Sequence, residues 1–420
     1  MSPALGGRLE SDDSEPRQKS RRTVAIIAVV ALCLDALAVR SVVLLAPFIR
    51  SGLKLGEGQY GYPLAAIMAG TLVAVLPAGR LIDRLESHRG FPIILAGAGL
   101  ACLVVSLQSS LPGLLVALFI LGLLRAGIIP QVNRLVTGHF ARGRRGATLG
   151  VVYAAVPLGG SLGAIVFPAL GQYLDWRSAY VALGLITVLS GWLSRKQIPP
   201  DKPTAPVKSA ARDLTPLRSR VFLVLAAAYS LYALSLTTES FVTLYLVDVV
   251  RLTALAAGAL FGLIQLTAVG GRVFWGILAD RWFQKNRIWL LAIVSWLTVI
   301  SFSLLTRLDA ASQGWMSAVV MALIGLSAAS SWGILSTVLG DVVGGGSIAI
   351  ATSAIFFLTS IADVAGPILF SAALGATQSY PVTITGFVLV AACTALAFTG
   401  LAWWTAGSTQ PETLHREQSG

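Results

Sequence analysis

Six ionisable side chains fall inside long apolar stretches of this sequence: Asp35, Arg40, Arg125, Glu239, Arg272 and Asp363. Charge in such surroundings is expensive unless paired or hydrated, so these residues mark ion or substrate pathways. A guanidinium stays charged in an apolar pocket and grips a carboxylate through two parallel hydrogen bonds. Arg272 and Arg40 are therefore read as anion-binding groups, with Arg125 behind or beside Arg40, and together they are expected to make a positive cavity. The carboxyls of Asp35, Glu239 and Asp363 are candidates to carry a coupled proton, or simply to neutralise the arginines. Arginine does not release a proton, so any proton coupling falls to an acid. Tyr153 and Asn133 complete the candidate binding set. The phenol can bond a carboxylate or fill the core; the amide can face a cavity or bridge two helices. Arg134, near the end of its stretch, is expected to snorkel.

Other chemistry is missing from the pattern. Cys33, Cys102 and Cys393 lie in apolar runs with no CxxC and no neighbouring His, so neither a disulfide nor a metal site is expected. There is no Walker sequence, HExxH or GxSxG. The chain is expected to need no cofactor, not to be an enzyme and not to be driven by ATP.

The elements that must position these charges follow from composition. Of 420 residues, 55% are hydrophobic and 12% charged, against roughly 25% charged in an ordinary soluble domain; mean hydropathy is +0.78. A soluble enzyme, a disordered chain and a coiled coil are excluded. Twelve apolar runs recur, near 23–48, 59–79, 91–110, 112–136, 147–170, 178–194, 221–248, 254–279, 288–306, 315–339, 347–374 and 381–404. They are too long and too uniformly apolar for membrane strands, so an all-α membrane protein of twelve transmembrane helices is expected. Residues 1–22 read as a polar tail and not as a signal peptide, and 405–420 as a second tail. The stretch 195–220, with Pro199, Pro200, Pro203, Pro206 and Pro216, reads as a linker between six-helix halves at 23–194 and 221–404.

The net charge of +12 is not read as nucleic-acid binding. With the N-terminus placed in the cytoplasm, 22 Lys and Arg fall on the cytoplasmic side and 5 on the other. That asymmetry puts both termini and the linker inside. An inner-membrane location is expected.

The halves share a signature. After the second run stands Gly79-Arg80-Leu81-Ile82-Asp83-Arg84, and after the eighth Gly276-Ile277-Leu278-Ala279-Asp280-Arg281, 197 residues later. Glycine lets helices approach closely. Asp83, Arg84, Asp280 and Arg281 at helix ends can build charge networks that gate a movement. Two parallel six-helix halves are a known secondary-transporter architecture.

Here the sequence resembles the major facilitator superfamily over essentially its whole length. Gly79, Asp83 and Arg84 match that family's G-x-x-x-D-R-x-G-R-[RK] loop motif and Arg89 keeps a cation one place beyond its end, while Glu86 and Ser87 depart from it. The resemblance implies alternating access around a central cavity. Gly270-Gly271-Arg272 leading to Gly276, Ala279 and Asp280 is similar to the R-x-x-x-G-x-x-[AS]-[DN] pattern of monocarboxylate porters and oxalate:formate exchangers, in which the Arg binds the substrate carboxylate. Arg40 stands where those porters use a Lys. Arg144-Arg145-Gly146, Pro157, Gly159 and Trp176-Arg177 follow a similar run. Ala268 departs from the Asp found four residues before the porter Arg, and Arg125 resembles the fourth-helix Arg of organic-anion symporters. Pro157, Gly159 and Gly160 only partly match the drug-antiporter motif, because Val156 replaces the Gly before Pro.

The expected function is secondary transport of small organic anions, mono- or dicarboxylates, coupled to protons and carried out by a monomer in the lipid bilayer. A drug or metabolite efflux antiporter of the same fold is the alternative.

Overall fold

The computed structural model describes residues 15–84, 86–140, 142–198, 215–284, 286–343 and 348–408, with side chains described except at 15–20, 75–84, 142–147, 215–216, 348–349 and 407–408. The expected linker and both expected tails lie largely outside these ranges. Among the described residues the protein is all-helical, with no strand.

The helices fall in the twelve expected places, numbered here as spans. Span 1 is Glu15–Leu44, prolonged by Ala46–Gly52; span 2 is Gly61–Arg84; span 3 is Ser87–Ser106. Span 4 is Leu111–Arg125 plus Ile128–His139, span 5 is Arg142–Tyr153 plus Ala155–Tyr173, and span 6 is Trp176–Ser194. Span 7 is Arg220–Ser235 plus Thr237–Asp248, span 8 is Ala254–Arg281 and span 9 is Ile288–Leu305. Span 10 is Gly314–Leu326 plus Ser331–Val343, span 11 is Ile348–Thr377 and span 12 is Tyr380–Ser408. Ten of these places hold helix that is, among the described residues, long and apolar enough to cross a membrane. The other two are spans 2 and 6; span 6 opens on the polar-edged pair Trp176-Arg177.

Side-chain caps fix several starts. Ser110, Asp175, Ser219 and Thr253 each accept a backbone N–H from two or three residues on, satisfying donors that an apolar surrounding would leave bare. The halves repeat one packing scheme: span 3 lies on 6, 2 on 4 and 1 on 5, as 9 lies on 12, 8 on 10 and 7 on 11. Spans 2 with 11 and 5 with 8 join the halves.

Four spans break midway, and the breaks have causes. Proline removes the bond to the carbonyl four residues back; Pro130 does so for Ala126 and Pro157 for Tyr153, which is where the first segments of spans 4 and 5 end. In span 10 the hydroxyls of Ser327, Ser330 and Ser331 turn back to the carbonyls of Leu323, Leu326 and Ala328, competing with the helical ladder. In span 7, Ser235 Oγ donates to the Tyr232 carbonyl just before the break. Broken backbone at membrane depth is tolerated only where protein or a cavity surrounds it.

Candidate substrate-binding site

The breaks gather the candidate residues. Arg125 ends the first segment of span 4, Tyr153 ends that of span 5, and Glu239 lies in the first turn after the break in span 7. Arg272 reaches the same level by another route. Gly271 lies against Ser330 and the Leu326 carbonyl, a place where added Cβ would crowd span 10. Trp275 Nε1 donates to that same carbonyl at 2.7 Å. Arg272 is thus carried on a helix pinned at both neighbours to the break in span 10.

The three arginines meet different fates. Arg125 is fully engaged: Nε and Nη2 each donate to Asp35 at 2.8 Å, and Nη1 donates to Thr71 at 3.1 Å. Both partners are nearly closed off from solvent, at 11% and 5% exposure. Arg40 makes a looser pair with Glu239 across the halves at 3.5 Å and lies over the Phe261 ring at 5.4 Å. Gln265 Nε2 donates to the same Glu239 oxygen at 3.2 Å. Arg272 is exposed and, among the described residues, has no ion pair or hydrogen bond. It lies within electrostatic reach of Arg40 in the other half and of Glu239 and Tyr229 in its own.

Asp363 on span 11 is also exposed. It lines a cavity of about 320 Å³ together with Ser360 and Phe356, facing Arg125, Thr71 and Pro130 of the other half. Tyr229 senses both Asp363 and Arg272. Its ring stands 6.0 Å from that of Trp332, which stands 6.2 Å from Phe356. A row of aromatic rings therefore runs from Tyr229 through Trp332 to Phe356 at the edge of that cavity. The three intramembrane arginines are matched in formal charge by three carboxylates, so the expected positive cavity is instead balanced, and of the six only Arg272 and Asp363 are exposed with no ion pair among the described residues.

Tyr153 donates to Asn133 Oδ1 at 3.1 Å, which ties the two segments of spans 4 and 5 together. At the face carrying the chain ends, the side chains of Asp83 and Arg84 lie outside the described residues. Asp280 accepts from Arg287 at 3.3 Å, and Arg287 also grips Asp341 of span 10 at 2.8 and 3.0 Å. Arg281, exposed at the end of span 8, takes no part in that network.

The opposite face is locked by groups that the sequence reading passed over. Arg50 pairs through both terminal nitrogens with Asp248, and Tyr380 donates to the same carboxylate at 2.8 Å. The hydrogen bonds that Arg50 donates to the Asp248 carboxylate raise the pKa of Arg50 above its ordinary value. Gly61 N–H donates to Ser371 Oγ at 2.6 Å, with no room for a side chain at residue 61. Gln265 had a readable signal: it stands seven residues before Arg272, two helical turns along the same face. Arg50 had one too, as a cation on the side poor in cations. Thr71 had none.

Fold and site together define a polytopic helical membrane protein built of two similar halves around a charged central cavity. The sequence profile of the Major Facilitator Superfamily matches residues 28–367, and the chain belongs to that family, one of transporters and not of enzymes. Among curated relatives, it is 29% identical over 249 residues to an "MFS-type efflux pump" of Mycolicibacterium smegmatis, covering 55% of this chain and 56% of that protein. It is 26% identical over 265 residues to the 3-(3-hydroxy-phenyl)propionate transporter of Escherichia coli, covering 62% and 65%. The chain thus spans between about half and two thirds of the length of these relatives. The fold is similar to that of a bacterial homologue of the human lysosomal transporter Spinster in an inward-facing, occupied conformation, with a TM-score of 0.80 at 15% identity over 93% of this chain and 97% of that one.

Proposed function

We propose that the protein is a secondary transporter of small organic anions, and that its substrates are monocarboxylates with an apolar or aromatic body. The observation that carries this reading is the contrast among the arginines: Arg125 and Arg40 have carboxylates, and Arg272, among the described residues, has none. A guanidinium held there without a counter-ion is supplied with one by an incoming carboxylate. Trp332 and Phe356, both partly exposed, would take the body of the substrate. The name of the Escherichia coli relative, an aromatic carboxylate transporter, supports the same class.

Charge balance supplies the coupling. The six central charges sum to zero, so binding an anion alone leaves the cavity negative. A proton taken up on Asp363, with Glu239 as the other candidate, restores neutrality and makes symport of one proton with one monocarboxylate electroneutral. Arg40, joined across the halves to Glu239, would report occupancy to the N-terminal half. We place both termini and the face bearing Asp280 in the cytoplasm of the inner membrane. The locked Arg50–Asp248 face is then external, and the cavity opens inward.

The test is uptake of a labelled arylpropionate into proteoliposomes. Uptake is expected to follow an imposed pH gradient, acid outside, and to ignore an imposed membrane potential, with Arg272→Ala inactive. Uptake driven by potential alone would contradict the coupling.

The Mycolicibacterium smegmatis relative favours a second reading, efflux of drugs or metabolites. On that reading a cationic drug is exchanged for protons, and Arg272→Ala retains the exchange.

A further inference from the structure

Span 3 begins and span 6 ends at the same level on the chain-end face. Their termini bring His88, Arg89, Arg195 and Lys196 to one rim. Beneath the rim lies a groove of about 450 Å³, walled by Ile93 and Trp192 and floored by Pro92 and Gly191. The floor is narrow because the backbones touch: a Cβ on Gly191 would stand 2.9 Å from the Pro92 carbonyl. The walls are open, with Ile93 61% and Trp192 57% exposed. Lys196 Nζ stands over the Trp192 ring at 5.3 Å. Glu86 lies 3.3 Å from His88 and, among the described residues, pairs with neither Arg89 nor Arg195. Arg89 and Arg195 have no ion pair among the described residues.

The other half shows that the fold does not require this groove. Shifted by 197 residues, Arg89 becomes Asn286 and Pro92 becomes Trp289. Asn286 Nδ2 donates to the Ala402 carbonyl and to Thr405 Oγ1, both at 2.9 Å, and Trp289 packs edge-on to Trp403 at 5.6 Å. Side chains bridge that seam, and in the cavity of about 390 Å³ beside it the cation Arg287 is already paired with Asp341. The seam between spans 3 and 6 leaves cations over an open apolar slot.

We propose that this groove is a binding site for an anionic phospholipid of the adjoining leaflet. One acyl chain lies along Ile93 and Trp192, and the phosphodiester accepts hydrogen bonds from Arg89 and Arg195. An uncharged or zwitterionic lipid matches the slot but not the rim, and a free phosphate matches the rim but not the slot. Basic pockets between spans take anionic headgroups for this reason.

The test is thermal unfolding of the detergent-purified protein titrated with phosphatidylglycerol, phosphatidylcholine or soluble glycerol phosphate. Phosphatidylglycerol is expected to raise the midpoint of the wild type, and the other two to leave it unchanged. Arg89→Gln/Arg195→Gln is expected to match the wild-type midpoint without lipid and to need roughly tenfold or more phosphatidylglycerol for half the shift. Arg218→Gln/Arg220→Gln, which removes two cations elsewhere on the same face, keeps the wild-type response. If the first double variant starts at a lower midpoint, Arg195→Gln alone carries the same prediction with a smaller change. An undiminished response in the groove variants, an equal loss in the Arg218/Arg220 variant, or a full shift by glycerol phosphate would each overturn the proposal.

Discussion

The N-terminal half closes its buried arginine, and the C-terminal half leaves its own open. Arg125 spends all three guanidinium nitrogens on Asp35 and Thr71. Arg272, on a helix packed against the break in span 10, is exposed and has no partner among the described residues. The difference teaches that an intramembrane charge identifies a functional region but not its role. Role depends on whether the counter-charge is built in or must arrive. A built-in pair is structural because breaking it leaves a buried charge alone. A vacant guanidinium costs little to remove from the empty protein and much to remove from the loaded one.

That contrast can be broken by mutation. The largest effect is expected from Arg272→Ala on transport: kcat/KM for carboxylate uptake should fall by about two orders of magnitude or more, the scale of truncating one member of a buried charge pair. Arg272→Lys should restore only part, because an ammonium lacks the paired donors. The unfolding midpoint of the empty Arg272→Ala protein should stay near wild type.

Arg125→Ala should do the reverse to stability. Thermal unfolding is expected to show a loss of about 3–5 kcal/mol, from stranding Asp35 in the interior. Asp35→Asn added to Arg125→Gln should recover much of it. If Arg125→Ala unfolds like the wild type, the pair is not the brace described here.

A smaller effect is expected at the locked face. Gly58 and Gly375 meet across the halves, so a cysteine pair there should cross-link when that face is closed. Asp248→Asn should lower the cross-linking yield a few-fold, because Arg50 and Tyr380 lose their shared acceptor. The smallest should be Arg287→Gln, which loosens spans 8 and 10 at the exposed end. Its stability cost should be within about 1 kcal/mol, as for exposed ion pairs.

Much of this architecture was legible in the sequence because membranes impose a simple code. Apolar runs gave the spans, and the repeated Gly-x-Leu-x-Asp-Arg gave the two halves. Burial of charge gave Asp35, Arg40, Arg125, Glu239, Arg272 and Asp363 as a set. The partners within the set were not legible. Asp35 and Arg125 are 90 residues apart, and no spacing rule links them. The breaks in spans 4 and 5 were available in Pro130 and Pro157; those in spans 7 and 10 depend on hydroxyls that choose between helix and local carbonyls only once neighbours are packed. Arg50 stands just past an apolar run, and its pairing with Asp248, 198 residues away, depends on how the halves meet. Arg287, at the start of span 9 and outside the repeated motif, is the residue that bridges Asp280 to Asp341, in place of Arg281.

The central claim is that Arg272 receives the carboxylate. The most direct test is thermal stabilisation of wild type and Arg272→Ala, in parallel, by a panel of aliphatic and aromatic carboxylates, with cationic drugs alongside. A ligand at 100 times its Kd stabilises by about 2.7 kcal/mol. At least one carboxylate is predicted to raise the wild-type midpoint and to leave a folded Arg272→Ala unmoved. Equal stabilisation of both proteins by carboxylates, or stabilisation of both by cationic drugs alone, would contradict the account.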